Sequence, residues 1–119
     1  MNELYKQIHE YLKMEEEIPF DEFEKYYKKV IAHFNDDAEE FDEDALWKAL
    51  FISENVMSNA EGRSKVEKGP KVKKKFAKMA DRLKLWAQNF ASRLGEMGYN
   101  QDQMNERFEK MFEDEVNES

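Results

Sequence analysis

Lys71, Lys74, Lys75, Lys78 and Arg82 are the residues of this chain whose type and spacing could do chemistry. Their steps of three, one, three and four positions place all five along one side of a helix. A row of cations of this kind binds anions, either the phosphates of a nucleic-acid backbone or the carboxylates of an acidic protein. On nucleic acid the gain would come from counterion release, which carries no sequence information. Base readers place Arg, Asn or Gln at base edges, and this row, apart from Arg82, is all Lys. Nucleic-acid binding through this row would therefore tolerate many sequences.

The row also breaks a local rule. In Gly69-Pro70-Lys71-Val72-Lys73-Lys74-Lys75-Phe76, Pro70 suits the first position of a helix. The lysines then crowd the helix N-terminus, where unpaired N–H groups already carry positive charge. Each cation so placed forgoes or costs about 0.3–1 kcal/mol. Repeated violation of a local preference points to function or to a compensating neighbour. The available neighbours are Asp36, Asp37, Glu39, Glu40, Asp42, Glu43 and Asp44. If these acids lie alongside the lysines, the row is neutralised from within. Charge runs are more often paired or solvated faces than binding sites, so this arrangement is the first to test.

Other chemistry finds little support. Without cysteine, disulfides, thiolate catalysis and Cys-based zinc sites are impossible. His9 and His33 belong to neither HExxH nor ExxH spacing, and both border apolar helix positions. The acidic segment lacks the central Gly and alternating ligand spacing of a calcium loop. No nucleophile elbow or phosphate-cradling glycine loop is present. A non-enzymatic chain with no metal and no cofactor is the expectation.

The elements that must position the row are helical. Strand-like alternation is absent, and apolar residues recur at three- and four-residue steps. A first helix spans about 3–14 and ends in Glu15-Glu16-Glu17-Ile18-Pro19. A second follows Asp21 as cap, with Phe23, Tyr27, Val30, Ile31 and Phe34 in its stripe. The linker 35–40 reads as exposed. A third starts after Asp42, with Phe41 and Leu46 at hydrophobic-staple positions. Gly62 weakens its end, near Arg63 and Lys65. Trp47 and Phe51 flank its apolar seam, so one of them is expected at the surface.

The fourth helix runs from about 71 to 97, with Val72, Phe76, Met79, Leu83, Trp86, Phe90, Leu94 and Met97 as its seam. Gly98 stops it. Asn100 and Gln103 then have capping-box spacing before a helix carrying Met104, Phe108, Met111 and Phe112. These methionines suit an adaptable groove or, more commonly, ordinary core.

Composition bounds the remainder. The 119 residues suit one helical domain, 1–119, with 113–119 as a frayed tail. Net charge is −8, distributed as −10 over 1–60, +8 over 61–93 and −6 over 94–119. No apolar segment reaches membrane-spanning length, no secretory leader is evident, and a cysteine-free chain suits the cytoplasm. The expected fold is an all-α bundle of four to five helices organised around the 71–97 helix. The expected function is that of a small interaction protein, a regulator or adaptor. Its partner would be a protein, with nucleic acid as the alternative, and the long helix could also build a homodimer.

Overall fold

A computed structural model of the chain describes residues 1–14 and 17–113. They form α1 (Asn2–Lys13), α2 (Phe20–Asp37), a 3-10 turn (Ala38–Glu40), α3 (Glu43–Val66), α4 (Pro70–Glu96) and α5 (Gln101–Glu113). The protein is an all-α bundle of five helices, with no strand among the described residues. Glu15 and Glu16, and most of the expected tail (114–119), lie outside the described residues; Glu113 closes α5. Among the described residues no helix is long and apolar enough to cross a membrane.

Packing centres on α3 and α4, an antiparallel pair joined by Glu67-Lys68-Gly69. Small residues allow these helices to approach closely: Ala49, Ser53 and Ala60 of α3 and Ala80 and Ala87 of α4 are all buried. The Ser53 hydroxyl donates to the Ala49 carbonyl at 2.8 Å, so no polar group is stranded there. The 27 residues of α4 make about 40 Å of helix. That nearly matches the molecule's longest extent of 43 Å.

The other helices attach mainly through aromatic rings. On one side of α4, Phe34 of α2 meets Trp86 and Phe90 edge-on at 5.5 and 4.9 Å, and Phe23 meets Phe76 at 5.5 Å. On α3, Phe51 collects Tyr5 and His9 from α1 and Phe108 and Phe112 from α5. Trp47 is covered by Tyr99 and by the Arg107 guanidinium. Both Trp47 and Phe51 are therefore buried, contrary to the expectation that one stays at the surface. Positions that flank the seam facing α4 become core positions once α1 and α5 cover them.

Local signals decide most helix ends. The Asp42 carboxylate accepts from the Ala45 N–H at 2.9 Å, opening α3. Asn100 and Gln103 cap reciprocally at 2.8 and 2.9 Å. Gly98 has φ +107°, and Tyr99 and Gly98 N–H groups return to Leu94 and Gly95 carbonyls, a Schellman end. Two expectations need correction. α2 starts at Phe20 with Pro19 as cap, leaving Asp21 in the first turn. α2 continues to Asp37 and the 3-10 turn follows, so 35–40 is helical and not a linker; Asn35, Asp36, Glu39 and Glu40 are exposed as expected, whereas Ala38 is buried. α3 ends at Val66 with Arg63 and Lys65 in its last turn, as expected, and it carries Gly62 because burial of Ala60 and Arg63 packing outweigh one glycine's cost of about 1 kcal/mol.

Two stability measurements test this core. Phe51→Ala should cost about 3–5 kcal/mol in urea unfolding, whereas Phe51→Leu should cost under about 1.5; equal, small losses would contradict the central role of this ring. Burial raises the Glu54 carboxyl above its ordinary value, and the Glu61 charge adds to the effect. A raised folded-state value means that stability is fully present below the unfolded value near ~4.3 and falls as pH rises. Glu54→Gln should therefore raise the melting temperature near about pH 7 and leave it unchanged near about pH 4.

Candidate functional site

Viewed down α4, Lys71, Lys75, Lys78, Arg82, Leu85, Asn89 and Arg93 fall within about 40° of one line. This face lies to one side of the buried seam. Lys71, Lys74, Lys75, Lys78 and Arg82 are all exposed, with Lys74 at the edge of the line. The structure thus brings the five cations together on one face.

α2 borders the face. Lys75 Nζ lies 3.8 Å from the Glu24 carboxylate and 5.5 Å from the centre of the Phe20 ring. Glu24 also meets Lys28 at 3.9 Å. Both contacts are long and solvent-exposed, the class of ion pair worth about 0–1 kcal/mol. Arg82 faces Tyr27: burial raises the Tyr27 phenol above its ordinary value, and the guanidinium charge opposes that rise. Among the described residues no ion pair joins Lys71, Lys74, Lys78 or Arg82 to a carboxylate. Glu24 was not foreseen as a partner for Lys75, because nothing in the sequence says which face of α2 meets α4.

Several acids of 36–44 have partners of their own away from the row. Asp37 pairs with His33 at 3.1 Å and Asp44 with Lys48 at 3.0 Å. Glu43 accepts from the Tyr99 hydroxyl at 2.8 Å. That hydrogen bond is the main cause of the raised Tyr99 phenol value. Asp36, Glu39 and Glu40 border a cleft with Trp86, Asn89 and Arg93 at the far end of α4. Arg93 holds the segment there by donating to the Ala38 carbonyl at 2.8 Å, and Phe41 packs on Phe34 and Phe90. Fifteen residues of helix separate Lys78 from Arg93, about 22 Å. That exceeds the screening length of about 8 Å at physiological salt. At that distance the acidic segment does not neutralise Lys71, Lys74, Lys75 or Lys78; Arg82, about 10.5 Å along the helix from Asn89, lies closer to it, and among the described residues makes no ion pair with it.

Leu85 is a member of this face that periodicity left unremarked. It is 66 % exposed and lies in line with Lys78 and Arg82. The signal was available, since Leu85 is the large apolar residue of α4 that falls off the seam.

Arg63 leaves the basic surface. Its guanidinium stacks over Phe23 and Phe76 at 5.2 and 4.7 Å, and its Nε lies 3.4 Å from Glu17. It borders a cleft of about 220 Å³ whose walls include Ile8, Tyr11, Ile18 and Val56. His9 is buried against Phe51, and Met111 is core, whereas Met97 is half exposed. Among the described residues no three His, Asp or Glu side chains group as a metal site.

The start of α4 bears the electrostatic cost anticipated from sequence. Gly69 caps it without a side-chain hydrogen bond, and its first turn holds no acid. Lys71→Glu should therefore stabilise the fold by about 0.3–1 kcal/mol at low salt, with the gain shrinking as salt rises. An unchanged or lower melting temperature at low salt would show that the lysine is compensated.

No protein-family model matches the sequence, no curated protein matches it and no solved structure matches it, so function must be argued from this chain's own residues.

Proposed function

We propose that this chain is a cytoplasmic, non-enzymatic interaction protein, a regulator or adaptor, whose α4 face docks an acidic segment of a partner protein. The supporting observation is the set of exposed cations Lys71, Lys74, Lys78 and Arg82, for which the described residues supply no ion-paired carboxylate. Lys75 is held loosely by Glu24 and can be shared with an incoming acid. A partner carboxylate would also relieve the positive crowding at the start of α4.

The mixed character of the surface favours a protein over nucleic acid. Leu85 interrupts the cations with an apolar anchor, and interfaces combine apolar centres with polar surroundings. Single-strand binders use exposed aromatic platforms, but Trp86 beside the row is half buried and stacked on Phe90. The acidic ends of the chain would repel a long polyanion while orienting a compact partner of opposite pattern.

Fluorescence anisotropy with a labelled Glu-rich peptide, a labelled duplex and a labelled single strand checks the proposal at low and moderate salt. The peptide should bind, and Lys74→Glu with Lys78→Glu should weaken it at least about tenfold, about 1.4 kcal/mol. Tighter binding of either nucleic acid, lost in the same variant, would replace the acidic-protein reading with a sequence-tolerant nucleic-acid module. Failure to bind any of the three at low salt would end both.

A further inference from the structure

The α4 face is complementary to itself. Every charged side chain on the line from Lys71 to Arg93 is a cation, but beyond exposed Leu85 the line is bordered by acids, Asp36, Glu39 and Glu40 of the neighbouring turn and Glu96 at the end of α4. Arg82 and Lys78 lie about 4.5 and 10.5 Å from Leu85 towards the N-terminus of the helix. Asn89 and Arg93 lie about 6 and 12 Å the other way. These two border the cleft that carries Asp36, Glu39 and Glu40. Lys74 and exposed Glu96 are each eleven residues from Leu85, about 16 Å on opposite sides.

We infer that two copies of this chain pair antiparallel through α4, about a twofold axis at Leu85. The axis sets Leu85 against its own copy. It brings Lys78 and Arg82 of each copy to the level of Glu39 and Glu40 of the other, and Lys74 to the level of Glu96. Such an interface is isologous: every contact occurs twice. The antiparallel arrangement also moves the crowded lysines beside the negative end of the other copy's α4, where cations are favoured. The lysines are misplaced within one chain and well placed across two. With one apolar anchor and many charges, the dimer is weak and salt-sensitive. It occupies the face assigned above to an acidic partner, so the two states exclude each other. The pairing uses the same charge layout but does not depend on that partner.

Analytical ultracentrifugation tests the pairing on the full chain. At low salt the average mass should rise with concentration towards twice 14.3 kDa, and added salt should return it to the monomer. Two variants, Lys78→Glu with Arg82→Glu and Glu39→Lys with Glu40→Lys, should each be monomeric. Their equal mixture should dimerise, because both copies of the contact then join opposite charges. All four positions are exposed, and circular dichroism confirms that each variant is folded. Leu85→Ser, which leaves every charge in place, should weaken pairing at least fivefold. A wild-type chain that stays monomeric at low salt overturns the inference, as does a mixture that fails to dimerise. A monomeric protein that still binds the Glu-rich peptide would sink the dimer alone; a chain that dimerises at high concentration yet ignores the peptide when diluted to the monomer would sink the partner proposal alone.

Discussion

Close approach of α3 and α4 is the constraint on which the rest of the bundle depends. Ala49, Ser53 and Ala60 on one helix and Ala80 and Ala87 on the other are small and buried, so the two backbones can meet with little between them. Side-chain burial in α3 is not confined to that side. Residues Ala49 to Ser53 are consecutive and all buried, which no single helix face can provide. α3 is therefore covered from several directions, and the coverings are aromatic. Tyr5, His9, Phe108 and Phe112 converge on Phe51, and Tyr99 closes over Trp47. Rings provide large buried area per residue, which a short chain with high charge needs if it is to offset the entropy of ordering.

That arrangement fixes where charge can go. One side of α4 is committed to α3 and another to the rings of α2. The surface left over includes the line that begins at Lys71, at the edge nearest α2, and its lysines are exposed to water. α2 ends near the C-terminal half of α4, and the chain must turn there to begin α3. Ala38, Phe41 and the Arg93 hydrogen bond pin this turn. The acids of the turn are thereby held at one pole of α4 while the lysines hold the other. The separation of charge along the surface follows from the packing of an apolar corner.

Signals confined to a few neighbouring residues were legible in the sequence. The Asp42 cap, the reciprocal Asn100 and Gln103 box, the Gly98 stop and Pro70 at the head of α4 all act within one turn of helix, and each lies where spacing put it. The cationic face was legible for the same reason. Properties set by distant partners were not. Burial of Trp47 and Phe51 depends on α1 and α5, whose docking side no local pattern encodes. The cost of Gly62 and the cationic end at Arg63 and Lys65 are legible from residue type, but the packing of Arg63 on Phe23 and Phe76 that carries α3 past the glycine is not. Pairing of the acidic segment with the lysines was a plausible use of opposite charge, but Coulomb attraction between solvated groups is weak beside the burial of Ala38 and Phe41. Leu85 was readable and overlooked: attention to the seam hides an apolar residue that lies off it.

The two charged poles remain separately available because water and salt lie between them. Over the roughly 22 Å between Lys78 and Arg93 attraction is screened to little in physiological salt, and among the described residues no ion pair joins the two poles. The whole chain nevertheless carries a charge of −8, which opposes casual association between copies and with other acidic proteins. Only approaches that bring the positive face of α4 against negative charge escape this general repulsion. A chain with scattered charges would gain equally from many orientations; this one gains from few. The lysines at the head of α4 stand where the helix dipole disfavours cations, and the same lysines make up the positive pole of the surface.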